Sequence, residues 1–288
     1  MDFLSKVYNK VITLFDFFNL EIVLFYFSIA IFVLLLEAFV LGWNKSSFKK
    51  IINFSSSVKT DVIFFFLDAF NIYGLITVLI SFGIIHFLTR MFYEATNFNL
   101  IVTIDNPYLQ FGILFFISDL KQYFSHLIFH RYNSLWKLHE FHHSASEFCV
   151  LTRYRGHFLE TALKKFIDVI PFAIFGASIQ SYFIIKVFVE VHQLIIHSGI
   201  QSTWGFIGKY IFVSPADHRL HHSIKRKHYE KNFGSTFIFW DRIFGTYCPS
   251  EEILAIGVDP PEYNKKGFIY DTYLGLRNFL AALGIKKR

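Results

Sequence analysis

The chain alternates long apolar stretches with short charged ones, and the apolar stretches have membrane dimensions. Residues 22–41 form a first apolar span that carries Glu37 near its end, and about twenty apolar residues cross a bilayer as a helix. A loop carrying Lys45, Lys49, Lys50 and Lys59 follows. Residues 62–89 predict a second span, long enough to tilt, and the loop after it holds Glu94 and Asp105 with little positive charge beyond Arg90. A third helix is predicted to begin near Pro107 and Tyr108, cross through Phe111 to Ile117, and run on into His126, His130 and Arg131. Residues 162–199 read as an apolar hairpin whose arms are short for full crossings, with Pro171 and Gly176-Ala177-Ser178 as the turn region and His192 and His197 on the returning arm. Over 270–283, Tyr270, Tyr273, Leu274, Leu276, Phe279, Leu280 and Leu283 recur at helical intervals and predict a C-terminal amphipathic helix on the membrane.

Composition agrees with that pattern. Of 288 residues, 53% are hydrophobic, 20% aromatic and only 17% charged, with mean hydropathy +0.41, outside the range of ordinary soluble domains. Thirty-nine phenylalanines are read mainly as lipid-facing and helix-packing surface. The first twenty residues place Asp2, Lys6, Lys10 and Asp16 among Phe and Leu without a small-residue cleavage site, which predicts an interfacial amphipathic helix rather than a cleaved signal peptide. Two cysteines, Cys149 and Cys248, are too few for a disulfide framework or a cysteine-rich zinc site and read as structural thiols.

The net charge of +6 comes without an aromatic-and-basic nucleic-acid module, so no nucleic-acid partner is expected. In a membrane chain the excess Lys and Arg report topology first. Arg153, Arg155, Lys164, Lys165, Arg219, Lys225, Arg226 and Lys227 fall in the segments 131–161 and 200–288 or close beside them, which places those segments on the cytoplasmic face.

That face also collects the histidines. Eight of thirteen lie in three clusters: His126 and His130; His139, His142 and His143; His218, His221 and His222. Residues three or four apart share a helix face, so each cluster is expected to aim its imidazoles at a single point. Eight imidazoles exceed what one tetrahedral zinc uses, and two metal ions are the economical reading. His139-Glu140-Phe141-His142-His143 also satisfies the H-E-x-x-H signature of a zinc protease, with Glu140 as general base. That alternative explains one cluster only, because His218-Arg219-Leu220-His221-His222 has Arg in the equivalent place. A metal transporter, a third class, calls for ligands at the bilayer midplane.

The H-x-x-x-H and two H-x-x-H-H strings, followed by Asn232-Phe233-Gly234 and by Trp240-Asp241-Arg242-Ile243-Phe244-Gly245-Thr246, resemble the fatty acid hydroxylase / sterol desaturase superfamily. The likeness runs from about Asp119 to Thr246. It implies an integral membrane, di-iron, O2-dependent oxidoreductase that hydroxylates or desaturates a lipid: a sterol, a fatty acyl or sphingoid chain, an alkylglycerol or a carotenoid. Electrons come, by the same resemblance, from a separate cytochrome b5- or ferredoxin-type donor. Oxygen chemistry on an unactivated C–H bond independently requires a redox metal, which zinc is not.

The resemblance carries a ligand role to His126, His130, His139, His142, His143, His218, His221 and His222. It also calls for a ligand from the helix before the last box. His192 and His197 are about 140° apart on a helix, so both cannot face one metal, and His197 is favoured. His157, in Arg153-Tyr154-Arg155-Gly156-His157, sits where relatives carry Arg-x-His-Pro-x-Glu; Pro is missing, Glu160 remains, and a ligand role stays open beside a contact to a ligand. His228 reads as a contact or surface residue, and His86 as structural.

Ligating histidines donate their second N–H to a carboxylate or carbonyl, and Asp119, Asp217 and Asp241 are the sequence candidates. Asp119 and Tyr123, four apart at the end of the third span, are candidates for catalytic or substrate-side roles. The fold expected is all-α and integral to the membrane: about four embedded helices or hairpins under a cytoplasmic helical cap with the di-metal site. Its single domain divides into transmembrane helices over 22–129, a catalytic region over about 119–246 and an amphipathic tail over 247–288. The bacterial inner membrane or the endoplasmic reticulum would hold it, with no fused cytochrome domain.

Overall fold

The first apolar run is a single helix, α1 (Leu20–Leu41). Its 22 residues span about 33 Å at 1.5 Å per residue. In the computed structural model, which describes residues 20–72, 104–175, 179–253, 255–259 and 261–284, α1 alone among the described residues is both long and apolar enough to cross a membrane by length and composition. The predicted N-terminal amphipathic helix, residues 73–89 of the second span with His86, the loop residues Arg90 and Glu94, and Gly176-Ala177-Ser178 lie outside the described residues.

Glu37 is fully buried at the end of α1. It accepts from the Ser47 backbone N–H (2.6 Å), the Ser47 hydroxyl (3.0 Å) and the Gly199 N–H (2.6 Å). A charge there is held by three donors, which offsets its desolvation. It thereby ties α1 to α2 (Ser47–Asn53) and to the loop beside His197.

Local chemistry accounts for the other helix starts. Ser55 caps α3 (Ser56–Ala69) by accepting from Val58 N–H. Asn106 caps α4 (Pro107–Arg131), with Pro107 at the first position, where its missing N–H costs nothing. α5 (Asn133–His143) follows after one residue, so the first two histidine clusters occupy neighbouring helices. A 3-10 turn over Val150–Tyr154 leads to α6 (Phe158–Phe175) and α7 (Ile179–Ile196), the predicted hairpin. Pro171 lies inside α6, not at the turn; the helix continues past it for a further turn. Short helices α8 (Gly205–Tyr210), α9 (Pro215–His221) and α10 (Phe239–Ile243) precede α11 (Phe268–Ala282). The described residues contain no strand, only isolated bridges at Phe212–Phe237 and Ser223–Ile256.

The main core joins α1 and α3 to Phe141, Cys149, Val150, Tyr154, Leu194, Tyr263 and Leu274; Cys149 is a buried thiol, as its sequence suggested. Helix α4 packs on α5 and α6, and α7 on α1 and α9. The tail helix α11 forms as predicted, and its buried face, with Leu274 and Gly275, packs along α5 and against His157. The reason is close fit: a Cβ at Gly275 would stand 3.0 Å from the His157 ring.

Candidate metal centre

Helical rotation decides how the histidines divide. On α5, His139 and His143 are one turn apart and point together, whereas His142 is rotated away from His143 by about 100°. The structure uses that rotation. His126, His130, His139, His143 and His221 form one group, and His142, His197, His218 and His222 a second; within each, one ligand atom per residue lies within 4.8 Å of all the others.

Each H-x-x-H-H string is therefore split, contrary to the expectation of one focus per cluster. In α5 the i and i+4 members join the first group and the i+3 member the second; at α9 the assignment is reversed, with His218 and His222 in the second and His221 in the first. The groups abut, since the His143 and His222 rings stack with centroids 4.1 Å apart.

Backbone carbonyls fix the tautomers, because a carbonyl can only accept. His126 Nδ1–H donates to Phe233 O (2.9 Å), His142 to Arg155 O (2.8 Å), His197 to Gln193 O (2.7 Å) and His221 to Lys231 O (2.8 Å). His139 Nδ1–H donates to Glu160 Oε1 (2.6 Å). Each Nε2 is then a bare lone pair aimed at the group's centre.

Those lone pairs face one another. His126 Nε2 and His139 Nε2 are 3.1 Å apart, and His197 Nε2 stands 3.3 Å from His142 Nε2; His218, whose Nδ1 has no partner, places its Nε2 2.9 Å from His197 Nε2. The Nε2 atoms of His130, His143, His221 and His222 are buried with no hydrogen-bond partner. Protons do not resolve the conflict: burial, and then the neighbouring histidines, hold His142, His143, His218 and His222 well below the usual imidazole pKa, and burial lowers His221 to about 3. Two cations do. Opposed imidazole nitrogens about 2.1 Å from a metal are about 4.2 Å apart, close to the spread of each group. The residues present fit two imidazole-bound transition-metal ions.

Two motifs build the frame. Asn232 sits in the left-handed region (φ 56°) and pairs its side chain with Cys248 N and O. Asp241 accepts from Phe233 N–H (2.7 Å), Gly234 N–H (2.8 Å) and the Thr246 hydroxyl (2.6 Å). Gly234 is required by space: a Cβ would meet Phe237 O at 2.7 Å and Asp241 Oδ2 at 2.8 Å. The Asn-Phe-Gly and Trp-Asp strings thus hold the loop whose Lys231 and Phe233 carbonyls orient His221 and His126.

The aspartates proposed as histidine partners serve the backbone instead. Asp119 accepts from Thr236 N–H, Phe237 N–H and Trp240 Nε1–H. Asp217 closes a capping box with Ser214 at α9. Buried backbone donors near a helix end or tight loop need acceptors, and these side chains supply them. Asp119 still lines the cavity beside the histidines; the Tyr123 hydroxyl pairs with Thr246 (2.8 Å).

Outside both groups, His157 donates Nε2–H to Thr272 O (3.1 Å) while its Nδ1 accepts from Leu159 N–H (3.3 Å), leaving no lone pair for a metal. His192 donates to Val213 O (3.0 Å). His228 pairs with Glu251 (3.2 Å). Glu140 pairs with Lys137 (3.1 Å) at a separate cleft with Tyr263 and Arg277, so it does not face the histidine groups as a zinc-protease base would.

Glu160 and Arg155 were not singled out as partners, although the incomplete Arg-x-His-Pro-x-Glu string contained both a clue and the glutamate. Arg155 is fully buried. It donates to Asp61 Oδ1 (2.6 Å), Ser144 Oγ (2.9 Å) and Asn264 Oδ1 (3.1 Å), and so pins the carbonyl that orients His142. Asp61 is 94 residues away in sequence, which no local pattern reveals.

A cavity of about 940 Å³ opens beside His126, His139, His142, His197 and His218. It lies among α1, α4, α6 and α7.

Known proteins bear on this site. Residues 111–246 match the family "Fatty acid hydroxylase". The chain is 32% identical over 189 residues to an alkylglycerol monooxygenase of Caenorhabditis elegans, covering 64% of this chain and 36% of that protein. It is 30% identical over 131 residues to an ornithine lipid hydroxylase of Rhizobium tropici, covering 46% and 39%, and 29% identical over 175 residues to the human alkylglycerol monooxygenase, covering 60% and 38%. The aligned region thus spans well under half the length of these relatives. No solved structure matches the chain.

Proposed function

We propose that this chain, whose residues 111–246 belong to the fatty acid hydroxylase family, is a membrane-bound, O2-dependent di-iron oxidoreductase that hydroxylates or desaturates a lipid. The observation carrying the proposal is the pair of abutting histidine groups, with five and four imidazoles, opening on one cavity. In this reading His126, His130, His139, His143 and His221 hold one iron, and His142, His197, His218 and His222 the other.

Iron, when bound, would supply the O2 activation that amino-acid side chains cannot. The chain's own residues do the rest. Glu160 and the carbonyls of Phe233, Arg155, Gln193 and Lys231 keep Nδ1 protonated and Nε2 free. The close packing of the imidazoles excludes protons that would compete with metal. The cavity admits a substrate from the side of α1, α4, α6 and α7. Hydroxylation balances as R–H + O2 + 2 e⁻ + 2 H⁺ → R–OH + H2O, with both electrons from a separate cytochrome b5- or ferredoxin-type protein. Desaturation consumes the same reductant and removes two hydrogens, yielding two waters. The relatives named above act on an alkylglycerol and an ornithine lipid, which supports a lipid substrate.

The multi-pass arrangement is likewise proposed. Helix α1 crosses the bilayer, and Lys45, Lys49 and Lys50 at its end support a cytoplasmic site, in a bacterial inner membrane or the endoplasmic reticulum. The test is metal analysis of purified protein together with lipid profiling of cells expressing wild type and His221→Ala. About two irons per chain and an O2-dependent lipid product lost in the variant are expected. A single zinc, with peptidase activity lost in Glu140→Ala, would sink the proposal.

A further inference from the structure

The charge pattern puts all of 200–288 beyond the membrane, yet two pieces of that segment fold back along the helices that lead into the bilayer. The chain reverses after His197. The Trp204 ring lies 5.7 Å from His192 and the Phe212 ring 6.0 Å from Phe188, so residues 204–212 run beside α7 at levels about 8 and 14 Å back from His197. A second helix gives the same depth. Phe237 and Phe239 stack on Phe116 at 5.1 and 5.8 Å, about 15 Å along α4 from His126 and at the end of the crossing predicted over Phe111 to Ile117. Phe244 meets Phe124 at 5.0 Å.

The two pieces are joined. An isolated bridge pairs Phe212 with Phe237, and Arg242 donates Nε–H to Lys209 O (2.8 Å) with its guanidinium 5.1 Å from the Tyr210 ring. Together they turn apolar side chains outward: Phe206, Ile207, Tyr210, Ile211, Ile243 and Phe244 are exposed, Phe206 at 71% and Ile243 at 64%. A contiguous apolar patch marks an interface. Through Phe244 and Phe124 it continues the outer stripe of α4, where Phe116, Phe124 and Ile128 are exposed at helical spacing. The exposed charge beside it has one sign. Residues 201–212 hold Lys209 and no acid, and the one carboxylate in 235–247, Asp241, is buried and occupied by the Phe233 and Gly234 N–H groups.

These observations select the occupant. A patch level with the α4 stripe and flanked only by cations matches the boundary of an anionic leaflet, where aromatic and aliphatic side chains enter the acyl region and Lys or Arg stay with the phosphates. A second copy related by a two-fold axis would bring Lys209 and Arg242 against their own counterparts. We propose that residues 204–212 and 237–244 form a re-entrant platform seated in the cytoplasmic leaflet, with Lys209 and Arg242 holding the phosphates of anionic phospholipids. The inference rests on the membrane-bound reading above. It gives the seat a bearing on the histidines, because Asp241 of α10 holds the loop whose Phe233 carbonyl orients His126.

The first arm of the test maps lipid contact. Full-length protein in nanodiscs of equimolar phosphatidylcholine and phosphatidylglycerol is photolabelled with a phosphatidylcholine carrying an acyl-chain diazirine, and labelled residues are located by mass spectrometry. Label is expected on 206–211 and 243–244 and on Phe32 and Leu35 of α1, and none on the exposed residues 225–227. Label on α1 without label on the platform overturns the proposal and leaves the membrane-bound reading standing. Label on neither overturns both, whereas label on the platform alone supports the platform and counts against α1 as a span. Cross-links between copies through Phe206 or Ile243, in place of lipid label, make the face a dimer contact and overturn the proposal.

The second arm reads the phosphates. Native mass spectrometry of protein released from the same nanodiscs is expected to show phosphatidylglycerol retained over phosphatidylcholine, with about a fivefold share of that preference lost in Lys209→Gln and a similar share in Arg242→Gln. The first variant should keep the wild-type melting temperature, since only the backbone carbonyl of Lys209 supports Arg242. No preference in the wild type, or a preference unchanged in both variants, overturns the proposal.

Discussion

Among the described residues, Glu160 is the one carboxylate touching a histidine of either group, and it touches only the first. Glu160→Gln keeps the shape and an oxygen acceptor for His139 but removes the charge. A hydrogen bond to a charged group contributes about 1.5–3 kcal/mol and a neutral one about 0.5–1.5, so the exchange weakens the hold on His139 by about 1–2 kcal/mol. That corresponds to about tenfold in affinity, at the lower end of the 10–100-fold typical when a ligand's partner is changed. The second group has no Glu160 contact and should keep its affinity. Chelator competition on purified protein, read as metals retained per chain, separates the two. The variant should release one ion at about tenfold lower chelator than wild type and the second ion at the same concentration. Parallel loss of both ions, or of neither, would refute the assignment of Glu160 to one group.

Three further outcomes follow from the geometry. His197→Ala should lose the second ion, whereas His192→Gln, five residues earlier, should retain both in metal analysis, because His192 contacts Val213 O and no group member. Gly234→Ala should cost about 1–3 kcal/mol by overpacking, seen as a lower melting temperature, since its Cβ would lie under 3 Å from three atoms. Burial pushes His157 down to about 4 from 6.5. Its folded pKa being depressed, the unfolded chain binds the proton more readily, so stability is fully present above pH 6.5 and is lost as pH falls towards 4, by about 3 kcal/mol in all. The stability gap between wild type and His157→Gln, measured by denaturation at pH 7 and pH 4.5, should therefore narrow in acid; a gap independent of pH contradicts the buried neutral imidazole.

Some features were legible in the chain because they are local. An apolar run of membrane length makes α1, Asn106-Pro107 starts α4, and histidines at spacings of three and four advertise a metal site whichever way the helices pack. The motifs Asn232-Phe233-Gly234 and Trp240-Asp241 marked the family without revealing their work, which is to hold the carbonyls that aim His126 and His221.

The one-focus reading of each H-x-x-H-H string failed because adjacent residues on a helix differ by about 100°, so His142 and His143 must face different ways. Which way is useful depends on what lies opposite: α4 supplies His126 and His130 on one side, and the end of α7 supplies His197 on the other. Likewise, the sequence showed that ligating histidines need partners but pointed to aspartates close to the boxes. Those acids were taken up by unsatisfied backbone donors of the loops. Glu160, and the Arg155 carbonyl anchored by Asp61, took the role because only the packed chain brings them within hydrogen-bond reach. Spacing along the chain thus determined that this protein gathers imidazoles. The packing of α4, α5, α7 and α9 decided that they form two groups sharing one wall, since the orientation of a side chain relative to distant segments is set by tertiary contacts alone.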